Sequence, residues 1–310
     1  MYNGVIIVNK EAGFTSHDVV AKLRGILRQK KIGHTGTLDP DATGVLPVCL
    51  GNATKLCDML TEKDKTYEAV MLLGRVTDTQ DISGKSLEEA DVSAMRAAGN
   101  LQDELIYETI MSFVGDYQQI PPMYSALKVN GKKLYELARE GIEIERQPRP
   151  VKILSIENVR IEFPKVYMTV TCSKGTYIRT LCHDIGQKLS CGACMEALRR
   201  TRVSMFGIED SLTLGQISSI VEADGSVESY VIPVEKIFEK YPSVCTKESF
   251  DKLLYNGNSV RAEMLDIAEH TVLSDQMRVR MYDSRGTFIG IFYYSKRERL
   301  VKCDKMFYVA

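Results

Sequence analysis

At 310 residues, 44% apolar and 26% charged, the chain is long enough for one large domain plus a smaller one and has the make-up of an ordinary globular protein. A formal net charge of −1 excludes a uniformly basic surface, so any polyanion must be met by local clusters. No apolar run approaches the ~18 residues of a membrane span, and Val5–Val8 follows Met1-Tyr2-Asn3-Gly4 without a cationic n-region or cleavage site, which points to a cytoplasmic protein.

In chain order, Val5–Val8 reads as a short buried strand and Asn9–Gly13 as a turn. Thr15-Ser16-His17-Asp18 has the form of a helix start, and Val19, Val20, Leu23, Ile26 and Leu27 follow at helical spacing. That helix ends in a basic run of Lys22, Arg24, Arg28, Lys30 and Lys31. Next comes Gly33-His34-Thr35-Gly36-Thr37-Leu38-Asp39-Pro40-Asp41-Ala42-Thr43-Gly44, a loop composition with no apolar period. Its glycines permit positive φ, and Pro40 biases Asp39 away from helical φ/ψ, so the loop should be rigid and display Asp39.

The apolar run Val45–Leu50 should anchor the loop's far side, with a short helix over Asn52–Leu60 and a strand over Thr66–Gly74 that begins with Tyr67. Residues 75–115 are acidic and should be mostly helical after the turn Thr77–Gly84. Gln119–Lys128 should be extended, because two prolines sit within it, before an Asn130-Gly131 hairpin turn and a helix over Lys132–Arg139. Two strands are expected between Arg149 and Cys172, then a helix start at Ser173–Thr176 with a buried stripe of Ile178, Leu181, Ile185 and Leu189. Arg179 lies one residue off that stripe, where an arginine usually makes a structural ion pair. From about Tyr241 the pattern turns to short strands, Met277–Tyr282, Phe288–Tyr294, Leu300–Cys303 and Met306–Val309, as in a small barrel.

The eight cysteines mostly sit inside apolar patterns and read as reduced core thiols. Cys191 and Cys194 have redox or zinc spacing, but no second such pair accompanies them, so no metal is assigned. Further basic clusters at Lys128/Lys132/Lys133, Arg199/Arg200/Arg202 and Lys296–Lys305 shift the balance towards a polyanionic partner. Asp39-Pro40-Asp41-Ala42-Thr43 also fits the Asp-x-Asp-x-Thr pattern of haloacid-dehalogenase phosphatases. That pattern should close a hydrophobic strand and call on a downstream acidic magnesium site, and neither is apparent.

The glycine-rich loop resembles the catalytic motif of the bacterial tRNA pseudouridine synthase B family. Lys65-Thr66-Tyr67, Arg75-x-Thr77-Asp78-Thr79-x-Asp81-x-x-Gly84, Ile120–Lys128 and Cys172–Leu181 resemble its other motifs, in order. The resemblance implies an α/β (α+β) pseudouridine synthase fold, with a mixed, largely antiparallel sheet flanked by helices and loops over residues 1–240. A C-terminal all-β PUA-like barrel over 241–310 completes it. It also implies isomerisation of the uridine at position 55 in the TΨC loop of tRNA, by a monomer that grips the T stem-loop and the acceptor stem.

Breaking N1–C1′, turning the base and joining C5 to C1′ takes no atom or electron from outside, so no cofactor is called for. A carboxylate can attack C1′ or C6, or remove a ribose proton, and must be ionised for each. By the resemblance Asp39 is that group and Arg179 pairs with it, which would keep it charged. Tyr67 would stack on the flipped uracil and stand near C5 as a general base, and Tyr177 and Leu198 would line the pocket. His34 would fill space vacated in the RNA loop, and Lys10 would meet a phosphate or the pocket floor. An RNA-binding protein without turnover is the alternative, and it has no need of Asp39, Tyr67 and Arg179 together.

Overall fold

The capping box expected at Thr15 is formed: the Thr15 hydroxyl accepts from Asp18 N, and the Asp18 carboxylate accepts from Thr15 N at 2.9 Å. The helix it starts, α1 (Ser16–Ile26), buries Val19, Val20 and Leu23 against the strand β1 (Gly4–Lys10). The computed structural model describes residues 1–129, 131–267 and 272–308. After α1 come β2 (Ile32–His34) and β3 (Thr43–Leu50), both antiparallel to their partners in register Ile32↔Leu50 and Gly4↔Leu50. The glycine-rich loop is the connection between β2 and β3.

Seven strands of a nine-stranded mixed sheet run in the order β1, β3, Ala193–Val203, β4 (Lys65–Leu73), Lys165–Cys172, Arg149–Glu162 and Gly115–Gln119, with β2 on β3 and Phe206–Gly207 on Ala193–Val203 off this path. All neighbours are antiparallel except β3 and Ala193–Val203. The strand Ala193–Val203 is absent from the sequence expectations, although it lies beside β4 at the centre of the sheet. A bulge between Met195 and Ala197 shifts its alternation, and its arginines mask what alternation is left. The helix Ile178–Lys188 packs on one face and buries Ile178, Leu181, Cys182 and Ile185 among Tyr67, Ala69 and Met71 of β4.

Several elements differ from the sequence expectations. Residues 75–115 hold a hairpin, Arg75–Thr77 with Ser86–Glu89, before the helices Val92–Ala97 and Asp103–Met111. Hydrogen bonds from Thr77 Oγ1 to Asp81 O and from Ser83 N to Asp81 Oδ1 close that hairpin's loop, and such side-chain bonds compete with helix. The short helix expected over 52–60 forms in two pieces, a 3₁₀ helix, Gly51–Leu56, and an α-helix, Cys57–Thr61. The turn expected at Ser173–Thr176 is closed by Thr176 Oγ1 donating to Ser173 O, and the helix that follows it begins at Ile178. Lys128↔Lys133 and Val129↔Lys132 pair as a hairpin whose turn residue Asn130 lies outside the described residues.

The C-terminal module is a six-stranded, nearly closed barrel-like sheet around Val244, Leu254, Val279, Met281, Ile289 and Phe292, and it carries the short α-helix Asp251–Tyr255. The last two expected strands form one, Leu300–Met306, and Val309 lies outside the described residues. The module is fastened to the large sheet near β3. Asn52 Nδ2 and Lys55 Nζ donate to the carbonyls of Phe307 and Met306, and Phe307 and Ile291 pack beside Val5 and Val45.

Candidate active site

The β2–β3 loop is held from below and from both flanks. Leu38 and Ala42 point into the core and are 4% and 2% exposed. Ser16 Oγ accepts from Leu38 N at 3.0 Å, Gly13 N donates to Pro40 O at 3.0 Å, and Thr35 N donates to Pro47 O at 3.0 Å. Gly44 sits at φ 102°, and a Cβ there would lie 2.1 Å from Arg200 O, so only glycine lets the loop rejoin the sheet at this point.

Asp39 stands between these anchors and faces Arg179. The Arg179 Nε lies 2.9 Å from Asp39 Oδ2, and its Nη2 donates to Asp39 Oδ1 at 3.2 Å. Such a two-point contact fixes the plane of the carboxylate as well as its charge. Arg179 is 5% exposed and also donates to Thr79 O at 2.9 Å and Tyr124 O at 2.8 Å, while Asp81 Oδ2 lies 3.8 Å from its Nη1. Asp81 is held in turn by Thr79 Oγ1 and Ser83 Oγ, which donate to its Oδ1. The result is a line of charge, Asp39, Arg179, Asp81, built from three separate segments.

Burial raises the Asp39 carboxyl above the ordinary aspartate range; Arg179 opposes that rise and the Asp81 charge reinforces it. The pairing with Arg179 is therefore as expected, but its pull does not win: desolvation sets the net direction. The Asp39 side chain is still 39% exposed, as a group must be if substrate is to reach it.

Tyr67 on β4 is 8% exposed and lies in the same buried cluster as Leu38 and Ala42. Burial pushes its phenol up, with the Arg200 charge opposing. Tyr177 precedes the helix Ile178–Lys188, and its main chain is held at both N and O by the buried Gln119 side chain, at 2.8 and 3.0 Å. The Asp39 charge adds to the upward shift of both phenols, whose main cause is burial. Leu198 is half-buried against the same cluster. His34, on β2, meets the exposed His17 edge-on with ring centroids 5.2 Å apart. Burial lowers His34 to about 4, so its ring is neutral at neutral pH.

Lys10 has no exposure, and its ammonium donates to Pro40 O at 2.8 Å and Glu11 O at 3.0 Å. A phosphate contact is thus closed to it. It lies beneath the loop, and burial lowers it to about 8. Asp41 lines an open groove of about 470 Å³ with Thr43, Glu68, Arg199 and the candidate pocket residue Leu198. Glu68 and Arg199 alternate along their strands with Tyr67 and Arg200, so these two charged side chains point to the sheet face opposite Tyr67.

The TruB family pseudouridylate synthase N-terminal domain matches residues 24–178, and the tRNA pseudouridylate synthase B C-terminal domain matches residues 179–239. The tRNA pseudouridine synthase B of Lachnoclostridium phytofermentans is 51% identical over 316 residues, covering 98% of this chain and 99% of that protein. The chain belongs to the TruB family of pseudouridylate synthases. The Clostridium perfringens tRNA pseudouridine synthase B is 44% identical over 294 residues, covering 93% of this chain and 94% of that protein. Among solved structures, a chain of an H/ACA ribonucleoprotein bound to a substrate RNA containing 2′-deoxyuridine matches with a TM-score of 0.70 at 27% identity, covering 99% of this chain and 85% of that one. A chain of the archaeal box H/ACA Nop10–Cbf5 complex gives 0.68, also at 27% identity, covering 99% of this chain and 86% of that one.

Membership sets the activity class, conversion of uridine to pseudouridine in tRNA, and leaves no room for the phosphatase pattern at Asp39. Three further side chains meet the loop or its partners without a role in the sequence reading. Asp81 was quoted inside a motif without a role, Gln119 was read only as extended chain, and Arg200 was counted as one of a basic cluster. The cluster in fact divides: Arg199 is exposed and pairs with Glu68 at 3.5 Å, Arg202 Nη1 donates to Ser204 O, and Arg200 is buried. Strict alternation from Leu198 inward would have singled out Arg200. Part of the basic run before the loop is likewise structural, since Arg24 Nε donates to Lys30 O and Lys31 Nζ to Asn52 Oδ1.

Proposed function

We propose that this chain isomerises the uridine at position 55, in the TΨC loop of tRNA, with Asp39 as the catalytic carboxylate. The observation that carries the reading is the two-point Asp39–Arg179 contact on a loop braced from three directions. Binding alone has no need of a buried arginine aimed at one carboxylate. Asp39 acts ionised, on C1′, on C6 or on a ribose proton, and Arg179 fixes the direction of its oxygens.

The target uridine leaves the stack to reach it. Tyr67, a neutral phenol at neutral pH, offers its ring as the floor on which uracil rests, and Tyr177 and Leu198 close the sides. Stacking on an aromatic contributes ~1–3 kcal/mol per base, which offsets much of the unstacking. The neutral His34 ring fills the space that the flipped base leaves. The catalytic domain, 1–240, takes the T stem-loop, and the C-terminal domain, 241–310, takes the acceptor stem through its basic strand ends. The protein acts as a cytoplasmic monomer and without a cofactor, as the balance of the reaction allows.

Tritium release from a T-stem-loop transcript carrying 5-tritiated uridine tests this reading. Stoichiometric release is expected; none, at enzyme in excess over RNA, rejects it.

Asp81→Asn keeps the shape and removes the charge behind Arg179. The single-turnover rate should fall by about tenfold as Arg179 loses a partner. Because the Asp81 charge raises Asp39, its loss lowers Asp39, and the acid limb of the pH–rate profile should move to lower pH. An unmoved or upward-shifted limb would show that Asp81 does not act on Asp39.

A further inference from the structure

Arg200 leads the side chains with almost no exposure in size, at 1%. Taking a guanidinium out of water is unfavourable unless its charge and donors are met. Among the described residues no carboxylate lies within ion-pair reach of it; its donors go instead to main-chain carbonyls at the two ends of the loop that carries Asp39. Nε donates to Val45 O at 2.7 Å and Nη2 to Gly36 O at 3.3 Å. The Arg200 backbone runs parallel to β3 opposite Gly44, and its cross-strand neighbour on the other side is Tyr67, on the same face of the sheet. One residue thus joins the loop's entry and exit through its side chain and the tyrosine's strand through its backbone.

We infer that Arg200 is a positioning residue for the isomerase: its planar fork fixes the span from Gly36 to Val45, and so the setting of Asp39 against Tyr67. The inference rests on the catalytic reading above. A purely structural need at this place is met at lower cost by an apolar side chain, since a buried charge without an acidic partner opposes folding. What an apolar side chain cannot supply is several donors in fixed directions to two separate carbonyls. Lysine carries the charge but not the fork, and glutamine carries one amide without the charge.

The test measures Arg200→Lys and Arg200→Gln for melting temperature, for affinity towards a T-stem-loop RNA, and for single-turnover rate well below melting. The wild-type chain runs alongside; its failure to form pseudouridine would reject the catalytic reading and not this inference in particular. With active wild type, the rate of each folded variant should fall by about tenfold or more while RNA affinity stays within about threefold. Combined with Tyr67→Phe, the losses should be less than multiplicative, because both changes act on one unit. Folded variants with near wild-type rates, losses that multiply with that of Tyr67→Phe, or failure of both variants to fold would each overturn the assignment, the last making Arg200 a stability residue.

Discussion

Asp39→Ala should abolish pseudouridine formation, with single-turnover rates down by at least about 1,000-fold, or ~4 kcal/mol of transition-state stabilisation. None of the neighbouring groups can take over. Asp81 is on the far side of Arg179 and is held by Thr79 and Ser83, and Asp41 lines a groove with Glu68 and Arg199 and makes no ion-pair contact with Arg179. RNA affinity should change by no more than a few-fold, because phosphate contacts dominate binding and Asp39 makes none. Residual turnover above about a tenth of the wild-type rate would remove Asp39 from the catalytic role. The wild-type pH profile carries a second sign. Asp39 works ionised and its carboxyl is raised by burial, so the rate should climb with pH through a limb that lies above the ~3.9 of an ordinary aspartate. Loss of activity only at or below that ordinary value would contradict the burial described for it.

The second large effect is expected from Arg179→Lys. The guanidinium serves Asp39 twice, Thr79 O and Tyr124 O once each, from a position with 5% exposure. A lysine ammonium cannot reach these groups in their fixed directions, so one or more buried carbonyls lose a donor at ~1–3 kcal/mol each. The single-turnover rate should fall by about 100-fold, and the melting temperature should drop by several degrees. Arg179 lowers Asp39, so weakening the pair should move the acid limb to higher pH, opposite to the shift from Asp81→Asn. That pair of opposite signs separates an electrostatic line through Arg179 from a general loss of structure, which would leave both limbs in place. A variant with wild-type rate and only a lower melting temperature would make the ion pair structural.

Much of this was legible in the sequence, and unevenly. The loop from Gly33 to Gly44 was readable because its chemistry is local: glycines, Pro40 and the Asp39 carboxylate are neighbours in the chain. The capping box at Thr15 was readable for the same reason. Arg179 was placed correctly at the start of its helix, yet its partners come from residues 39, 79, 81 and 124, and no periodicity shows such a meeting. The strand Ala193–Val203 is hidden in the sequence because two register shifts, at Met195/Ala197 and Arg200/Arg202, and three arginines break its alternation, and with it the inward turn of Arg200 is hidden. Of the two places expected for Lys10, a phosphate or the pocket floor, its full burial leaves only the second, since its strand ends beneath the loop and Pro40 O accepts from it. The net direction of the Asp39 shift was also out of reach, because it depends on how much protein surrounds the pair rather than on which residues form it.

Nucleotide-resolution mapping of pseudouridine in unmodified tRNA, after incubation with the pure wild-type chain and in parallel with Asp39→Ala, tests the central claim most directly. The account predicts one new pseudouridine, at position 55, with the wild-type protein and none with the variant. A modification at another position, or the same modification with Asp39→Ala, would contradict it.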